Sequence, residues 1–226
     1  MNMPPIVLVH GLGSSFDNNW RLTGWADILA AEGREVVGFD LPGHGAAPRR
    51  DATSESPVTL LAARLREFGQ PVDLVGFSAG ARLSLATVGE HPDLIRRAVV
   101  MGIGDSMVQP LDDSHLALAD AIEHDGGENA SAMTRMLRQI ITKSGNNHAD
   151  VAAYVRFQHE PPNLALVAEA DVPVLVVLGE DDGVAPADRI MATLRDGRLL
   201  MLPRTDHYAT VTSFAAQDAV LSFLQE

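Results

Sequence analysis

Residues Gly76-Phe77-Ser78-Ala79-Gly80 narrow the architectures open to this chain more than any other stretch. The preceding Pro71-Val72-Asp73-Leu74-Val75 reads as a short buried strand, and Ala81 to His91 reads as a helix stopped by Pro92. A serine between a strand and a helix sits in a tight, strained bend that lifts its hydroxyl above the sheet. Glycines two residues to either side let backbone and helix come that close. In a chain with 19 glycines, Gly-x-Ser-x-Gly is a weak pattern by itself. Its place between strand and helix makes Ser78 a candidate nucleophile.

A serine hydroxyl is a poor nucleophile at neutral pH and needs a base, which an acid must orient. Both lie downstream, in the order Ser, Asp, His. The apolar run Val172 to Leu178 ends in Gly179-Glu180-Asp181-Asp182-Gly183-Val184-Ala185-Pro186, which puts carboxylates at the carboxyl end of a predicted strand. Asp181 and Asp182 are both open as the acid. Another short strand, Arg198 to Leu202, leads into Pro203-Arg204-Thr205-Asp206-His207-Tyr208. Of eight histidines, only His207 follows the last strand in a loop able to face the serine. His91 ends a helix, and His115, His124, His148 and His159 are assigned to solvated faces. Near the N-terminus, Ile6 to Val9 runs into His10-Gly11-Leu12-Gly13. Such a glycine turn can aim a backbone N–H at a developing oxyanion. Leu12 is the first choice of donor, with Gly11 and Gly13 as alternatives, and the N–H of Ala79 supplies the second.

Short apolar runs at 6–9, 35–39, 72–76, 97–102, 173–178 and 198–202 lack clean alternation, as parallel strands buried on both faces do. Helical patterns fall between them at about 20–32, 57–68, 79–91, 186–195 and 213–225. This alternation predicts a parallel sheet with right-handed crossovers. The segment 106–170 breaks the rhythm. It holds helix-like stretches near 113–124, 129–144 and 148–158, separated by Asp125-Gly126-Gly127 and Ser144-Gly145-Asn146-Asn147.

Five motifs stand in register: His10-Gly11-Leu12-Gly13, Asp40-Leu41-Pro42-Gly43-His44-Gly45, Gly76-Phe77-Ser78-Ala79-Gly80, Gly179-Glu180-Asp181-Asp182 with Pro186, and His207. Together they resemble the α/β-hydrolase fold family over nearly the whole chain outside 106–170. The resemblance implies an α/β fold with a mostly parallel six-stranded sheet in spatial order 2-1-3-4-5-6, flanked by helices. The family's two leading antiparallel strands are absent. Residues 1–105 and 171–226 form the expected core, and 106–170 a small helical cap over the active site. The family spacing, Gly-x-x-Asp with a proline four residues later, selects Asp182 beside Ser78 and His207. Asp105 stands where some members carry their acid and is otherwise read as a cap to the following segment. Asp206 is expected to be exposed or bonded within its loop. His10 and His44 belong to family turns and are expected to hold loops by hydrogen bonds.

The implied activity is that of a serine esterase, a carboxylic-ester hydrolase of small or medium apolar substrates, working without cofactor or metal. Enol-lactonase, carbon–carbon bond hydrolase and thioesterase are alternatives with the same triad. A fold member that binds or cyclises a ligand without hydrolysis is the alternative of another class. Ser78 departs from haloalkane dehalogenase and epoxide hydrolase relatives, whose pattern has Asp there. For substrate contacts the candidates are Phe77 beside the serine, Phe16 beyond the oxyanion loop, and the helical stripe Met133, Met136, Leu137 and Ile140, continued by Ile141.

Composition sets outer bounds. With 226 residues, 46% hydrophobic and 21% charged, the chain fits one globular domain with a full-sized core. A net charge of −13 argues against nucleic acid or an anionic membrane as partner and leaves a small ester-like molecule. The absence of cysteine excludes disulfides and thiol catalysis. No window reaches the length of a membrane span, and residues 1–9 lack a basic start and a cleavage site. The first strand begins too near Met1 to leave room for a leader. The expected location is cytoplasmic.

Overall fold

The computed structural model describes residues 3–110, 112–124, 131–157 and 161–226. Six parallel strands make one sheet: β1 (Ile6–Val9), β2 (Val36–Phe39), β3 (Val72–Phe77), β4 (Ile95–Met101), β5 (Val174–Gly179) and β6 (Gly197–Leu202). Their spatial order is β2-β1-β3-β4-β5-β6, as expected. The chain moves outward from β1 to β2, then crosses back over β1 to β3. Loops leaving the carboxyl ends of β1 and β3 therefore diverge and open a crevice, the usual place for ligands in such sheets.

β1, β3 and β5 are buried along their whole length, which accounts for their unbroken apolar runs. Alternate residues serve opposite faces. Ile6, Leu8, Val75, Val99 and Val177 pack against Trp20 and against α1 (Trp25–Ala31) and α9 (Phe214–Gln225). Val7, Val9, Leu74, Val100 and Val176 face α2 (Pro57–Arg66), α3 (Ala79–Glu90) and α8 (Asp188–Thr193). Pro57 opens α2, and the Ser56 hydroxyl caps it by accepting the Thr59 N–H, 3.0 Å.

Two local expectations need correction. The predicted helix over 20–32 is two pieces, a π-helical turn Asp17–Arg21 and then α1. Gly24, at φ 83°, breaks the run, so that Trp20 and Trp25 both turn into the core edge to face, with centroids 5.8 Å apart. The segment 106–170 also divides. α4 (Ser114–His124), α5 (Ala132–Lys143) and α6 (His148–Arg156) pack on one another, with Arg156 joined to Asp120 (2.8 Å) and Glu123 (2.9 Å). A short helix that the sequence reading did not separate, α7 (Leu164–Glu169), lies along α3, where Gly89 makes room for Val167. Asp125-Gly126-Gly127 and His159 lie outside the described residues. No helix among the described residues is long and apolar enough to cross a membrane.

At the amino ends of the strands, Asp73 of β3 is fully buried and held by two arginines. Arg96 reaches it through Nε (2.8 Å) and a terminal nitrogen (2.6 Å), and Arg34 completes the pair. Arg34 also binds the Pro4 carbonyl, and Arg96 the Leu224 carbonyl, so one carboxylate ties both chain ends to the sheet. Removing one partner of a buried pair strands the other charge. Asp73→Ala is accordingly expected to lower unfolding free energy by about 3–5 kcal/mol in urea denaturation. A loss below about 1 kcal/mol would show that Arg34 finds other acceptors.

Candidate active site

Ser78 lies between β3 and α3 at φ 53°, ψ −115°, a conformation that L residues rarely adopt. Its neighbours force it there. A Cβ on Gly76 would sit 2.4 Å from the Gly80 carbonyl oxygen, and one on Gly80 only 2.2 Å from that of Val9. The bend is anchored by the Ser78 N–H to the Met101 carbonyl, 2.9 Å. The hydroxyl then meets His207 Nε2 at 2.9 Å. His207 Nδ1 lies 2.8 Å from Asp182 Oδ2. With a carboxylate as acceptor, Nδ1 carries the proton and Nε2 is free to accept one from the serine.

Packing and loop lacing hold this line of three. Loops after β5 and β6 are joined by the Asp181 N–H to the Thr205 carbonyl (3.0 Å) and the Glu180 N–H to the Leu202 carbonyl (3.0 Å). Asp182 is buried, and its other oxygen accepts the Val184 N–H at 3.0 Å. Asp181 is exposed. Asp105 is engaged elsewhere: its two oxygens accept the N–H groups of Arg189 and Ile190 in α8. It caps that helix, not the segment that follows it in sequence. Asp206 accepts the Ala209 N–H within its own loop.

The turn after β1 is held atom by atom. The Ser14 N–H closes a turn on the Gly11 carbonyl (3.1 Å), with Gly13 at φ 77°. The Gly11 N–H donates to Asn19 Oδ1 (3.0 Å), and the Gly13 N–H to His44 Nε2 (3.0 Å). Those two amides are taken. Among the described residues the Leu12 N–H has no partner. Ala79 opens α3, so its N–H has no intrahelical acceptor either. Two amides among the described residues are thus left without a protein partner, that of Leu12 in the turn after β1 and that of Ala79, next to Ser78 in the chain, at a helix N-terminus whose dipole favours negative charge.

A model of the alpha/beta hydrolase family matches residues 6–221. The chain belongs to that family. It is 27% identical to a 2-hydroxy-6-oxo-6-(2'-aminophenyl)hexa-2,4-dienoic acid hydrolase of Metapseudomonas resinovorans, over 97% of this chain and 83% of that protein. It is 26% identical to a pimeloyl-[acyl-carrier protein] methyl ester esterase of Chromobacterium violaceum, over 90% of this chain and 87% of the other. The solved structure of a thermophilic esterase from Thermogutta terrifontis superposes with a TM-score of 0.77 at 18% identity. That match covers 99% of this chain and 90% of the esterase, and at that identity it speaks for the fold alone.

Around Ser78, His207 and Asp182 of this hydrolase, the apolar candidates scatter. Phe77 is buried, its ring wedged against Gly11 and Gly102 and 5.0 Å from the His207 ring, so it braces the imidazole from below. Phe16 lies across Gly38 of β2 with Arg21 over its ring, which commits it to packing. The α5 stripe divides: Leu137, Ile140 and Ile141 stand over Gly13, while Met133 and Met136 are 62% and 46% exposed. A cavity of about 390 Å³ lined by Phe39, Pro42, Pro48, Arg49 and Leu60 lies beside β2 and includes none of the triad.

Three positioning residues escaped the sequence reading. Gly102 leaves room for His207, Asn19 holds Gly11, and Asn146 bridges two loops to the turn between α5 and α6. Gly102 carries a signal, a glycine ending an apolar run; the two asparagines carry none. Among the described residues no group of three or more metal-ligating side chains gathers.

Both turn histidines act as acceptors. His10 Nε2 accepts the Leu41 N–H (3.0 Å) and its Nδ1 donates to the Gly11 carbonyl (2.8 Å). His44 accepts from Gly13 and donates to the Pro42 carbonyl (3.1 Å). Burial holds His10 neutral down to about 4; burial and the nearby His10 hold His44 neutral down to about 3. Unfolded, both titrate near ~6.5. Between that value and about 4 the unfolded chain binds the extra protons, so stability falls as pH falls. Each ring contributes up to about 1.4 kcal/mol per pH unit. His44→Gln, whose side-chain carbonyl can accept the Gly13 N–H, is expected to halve that slope in urea titrations between pH 6 and 5. An unchanged slope would assign the acid sensitivity to other groups.

Proposed function

We propose that this hydrolase is a serine esterase for small to medium apolar carboxylic esters, forming an acyl-enzyme on Ser78. The observation that carries the reading is the hydrogen-bonded line Ser78–His207–Asp182; the unpartnered amides of Leu12 and Ala79 support it. Ser78 Oγ attacks the ester carbonyl while His207 Nε2 takes its proton. The developing oxyanion accepts the N–H groups of Leu12 and Ala79. His207 then protonates the leaving alkoxide as the tetrahedral intermediate collapses, and next deprotonates water for deacylation. Asp182 holds the imidazole in the required tautomer and balances its charge when protonated. All these groups belong to the chain, so the sequence of steps requires no cofactor.

The proposed cap is α4 to α6, narrower than 106–170. Leu137 and Ile140, above the turn after β1, are its substrate-facing part, and they favour apolar acyl groups. The esterase reading draws support from the relative that is named a methyl ester esterase. A second reading has one specific observation in its favour: another relative is named a hydrolase of a 2-hydroxy-6-oxo dienoic acid. In that case the same triad would break a carbon–carbon bond beside a ketone. A panel of p-nitrophenyl esters of graded acyl length, with lactones, thioesters and vinylogous diketones, separates the two readings.

Ser78→Ala is expected to lower kcat by about a million-fold while the protein stays folded, and to abolish labelling by a fluorophosphonate. Asp182→Asn should cost roughly 10⁴-fold by favouring the wrong tautomer, and Asp181→Asn should change little. Wild-type turnover by a folded Ser78→Ala protein would overturn the mechanism, and a reversed order of the two aspartates would reassign the acid. Leu137→Ala is expected to shift the best ester toward longer acyl chains; a uniform loss of rate would place that residue in packing only.

A further inference from the structure

Asn146 lies in the turn between α5 and α6, yet its side chain is spent on the core. Its Nδ2 donates to the carbonyls of Gly13 (2.9 Å) and Ser14 (2.7 Å), and its Oδ1 accepts the N–H of Gly45 (2.8 Å). One amide therefore ties the turn after β1, the loop after β2 and the α5–α6 turn together. From this geometry we infer that Asn146 is a positioning residue for the oxyanion turn, so that the seat of the helical cap and the strength of oxyanion binding are coupled. The inference rests on the proposed serine-hydrolase reading for its catalytic consequence.

Gly13 is the point of convergence. Its N–H is fixed by His44, its carbonyl by Asn146, and Ile141 stands so close that a Cβ on Gly13 would lie 2.8 Å from it. Each of these contacts leads back to α5 or α6, since the His44 ring packs edge-on against Tyr154 of α6, 5.4 Å away. The Leu12 N–H is part of the same four-residue turn. Any shift of the α5–α6 turn that releases Gly13 and Ser14 rotates that amide. Oxyanion donors act over about 2.7–3.1 Å, and a displacement of about 1 Å can cost on the order of a hundredfold in rate. The chemistry calls for this residue type: two donor hydrogens and an acceptor on one short side chain. An aspartate in its place would offer no donors and would face two carbonyl oxygens with a charge.

The test compares Asn146→Ala and Asn146→Asp with a control, Arg156→Ala, which removes the α4–α6 ties to Asp120 and Glu123 and touches neither loop. kcat and KM are measured separately on p-nitrophenyl acetate, whose acyl group is too small to depend on cap packing. Asn146→Asp, nearly isosteric and able to keep the Gly45 bond, is expected to lose roughly ten- to a hundredfold in kcat with KM within about threefold. Arg156→Ala should melt earlier yet keep kcat within about twofold. Wild-type kcat in folded Asn146→Asp, a change confined to KM, or an equal loss in Arg156→Ala would each overturn the inference. Should Asn146→Ala fail to fold, Asn146→Asp decides. Hydrogen exchange at the Gly13 and Ser14 amides, bonded to His44 and to the Gly11 carbonyl, gives a readout independent of turnover. At least tenfold faster exchange in Asn146→Asp is expected, and unchanged exchange overturns the inference. A wild-type protein inert to fluorophosphonate would instead count against the serine-hydrolase reading, leaving the clamp to be judged by exchange alone.

Discussion

Helix α3 approaches the carboxyl end of β1 so closely that no side chain fits between them, and the rest of the site follows from that contact. Only a glycine can occupy position 80, because a Cβ there would lie 2.2 Å from the Val9 carbonyl oxygen. The helix must therefore begin almost on top of the sheet, and Ser78 absorbs the turn with a positive φ. The same approach places the first N–H of α3 next to the turn that begins at His10. Ser78 and the turn that begins at His10 are thus neighbours because one helix has no clearance over one strand.

That turn could not be stable as backbone alone. It is buried, belongs to no ladder, and carries polar groups that each need a partner. Four side chains from separate places supply them: His10 itself, Asn19 from the π-helical turn, His44 from the loop after β2, and Asn146 from between α5 and α6. The two histidines serve only while neutral, a state that burial enforces. The amide left over after this accounting is that of Leu12. A free donor at that point is a consequence of how completely its neighbours are satisfied.

The two halves of the site have different supports. Ser78, Asp182 and His207 stand on loops after β3, β5 and β6, laced to one another through Thr205 and backed by Phe77. The turn after β1 instead leans on the helices inserted after β4. Substitutions that free Gly13 and Ser14 from the α5–α6 turn should thus act on that side of the site before they disturb the hydrogen-bonded line of three.

Much of this was legible in the sequence because it depends on chain order and local turn chemistry. Alternating apolar runs and helical patterns sufficed for the strands, and the sheet order followed from the family motifs they carry. A serine flanked by glycines between strand and helix can adopt few other conformations. His207 could be singled out because it alone follows the last strand. The two adjacent aspartates were separable only by family spacing, since both end the same strand; the fold then buries one and exposes the other. Periodicity overran the break at Gly24, because a single glycine does not erase a helical pattern. Phe16 and Phe77 were singled out by proximity in sequence; packing lays Phe16 across Gly38 and sets Phe77 beside the His207 ring. Asn19 and Asn146 were beyond reach of any local rule: Asn146 meets Gly13 across 133 positions of chain. The sequence by itself determined which groups could react and on which turns they sit, since those are short-range properties of backbone and side chain. Tertiary structure alone decided which amide stays free and what holds its neighbours, because hydrogen bonds between distant segments exist only once the sheet and the helices above it have been assembled.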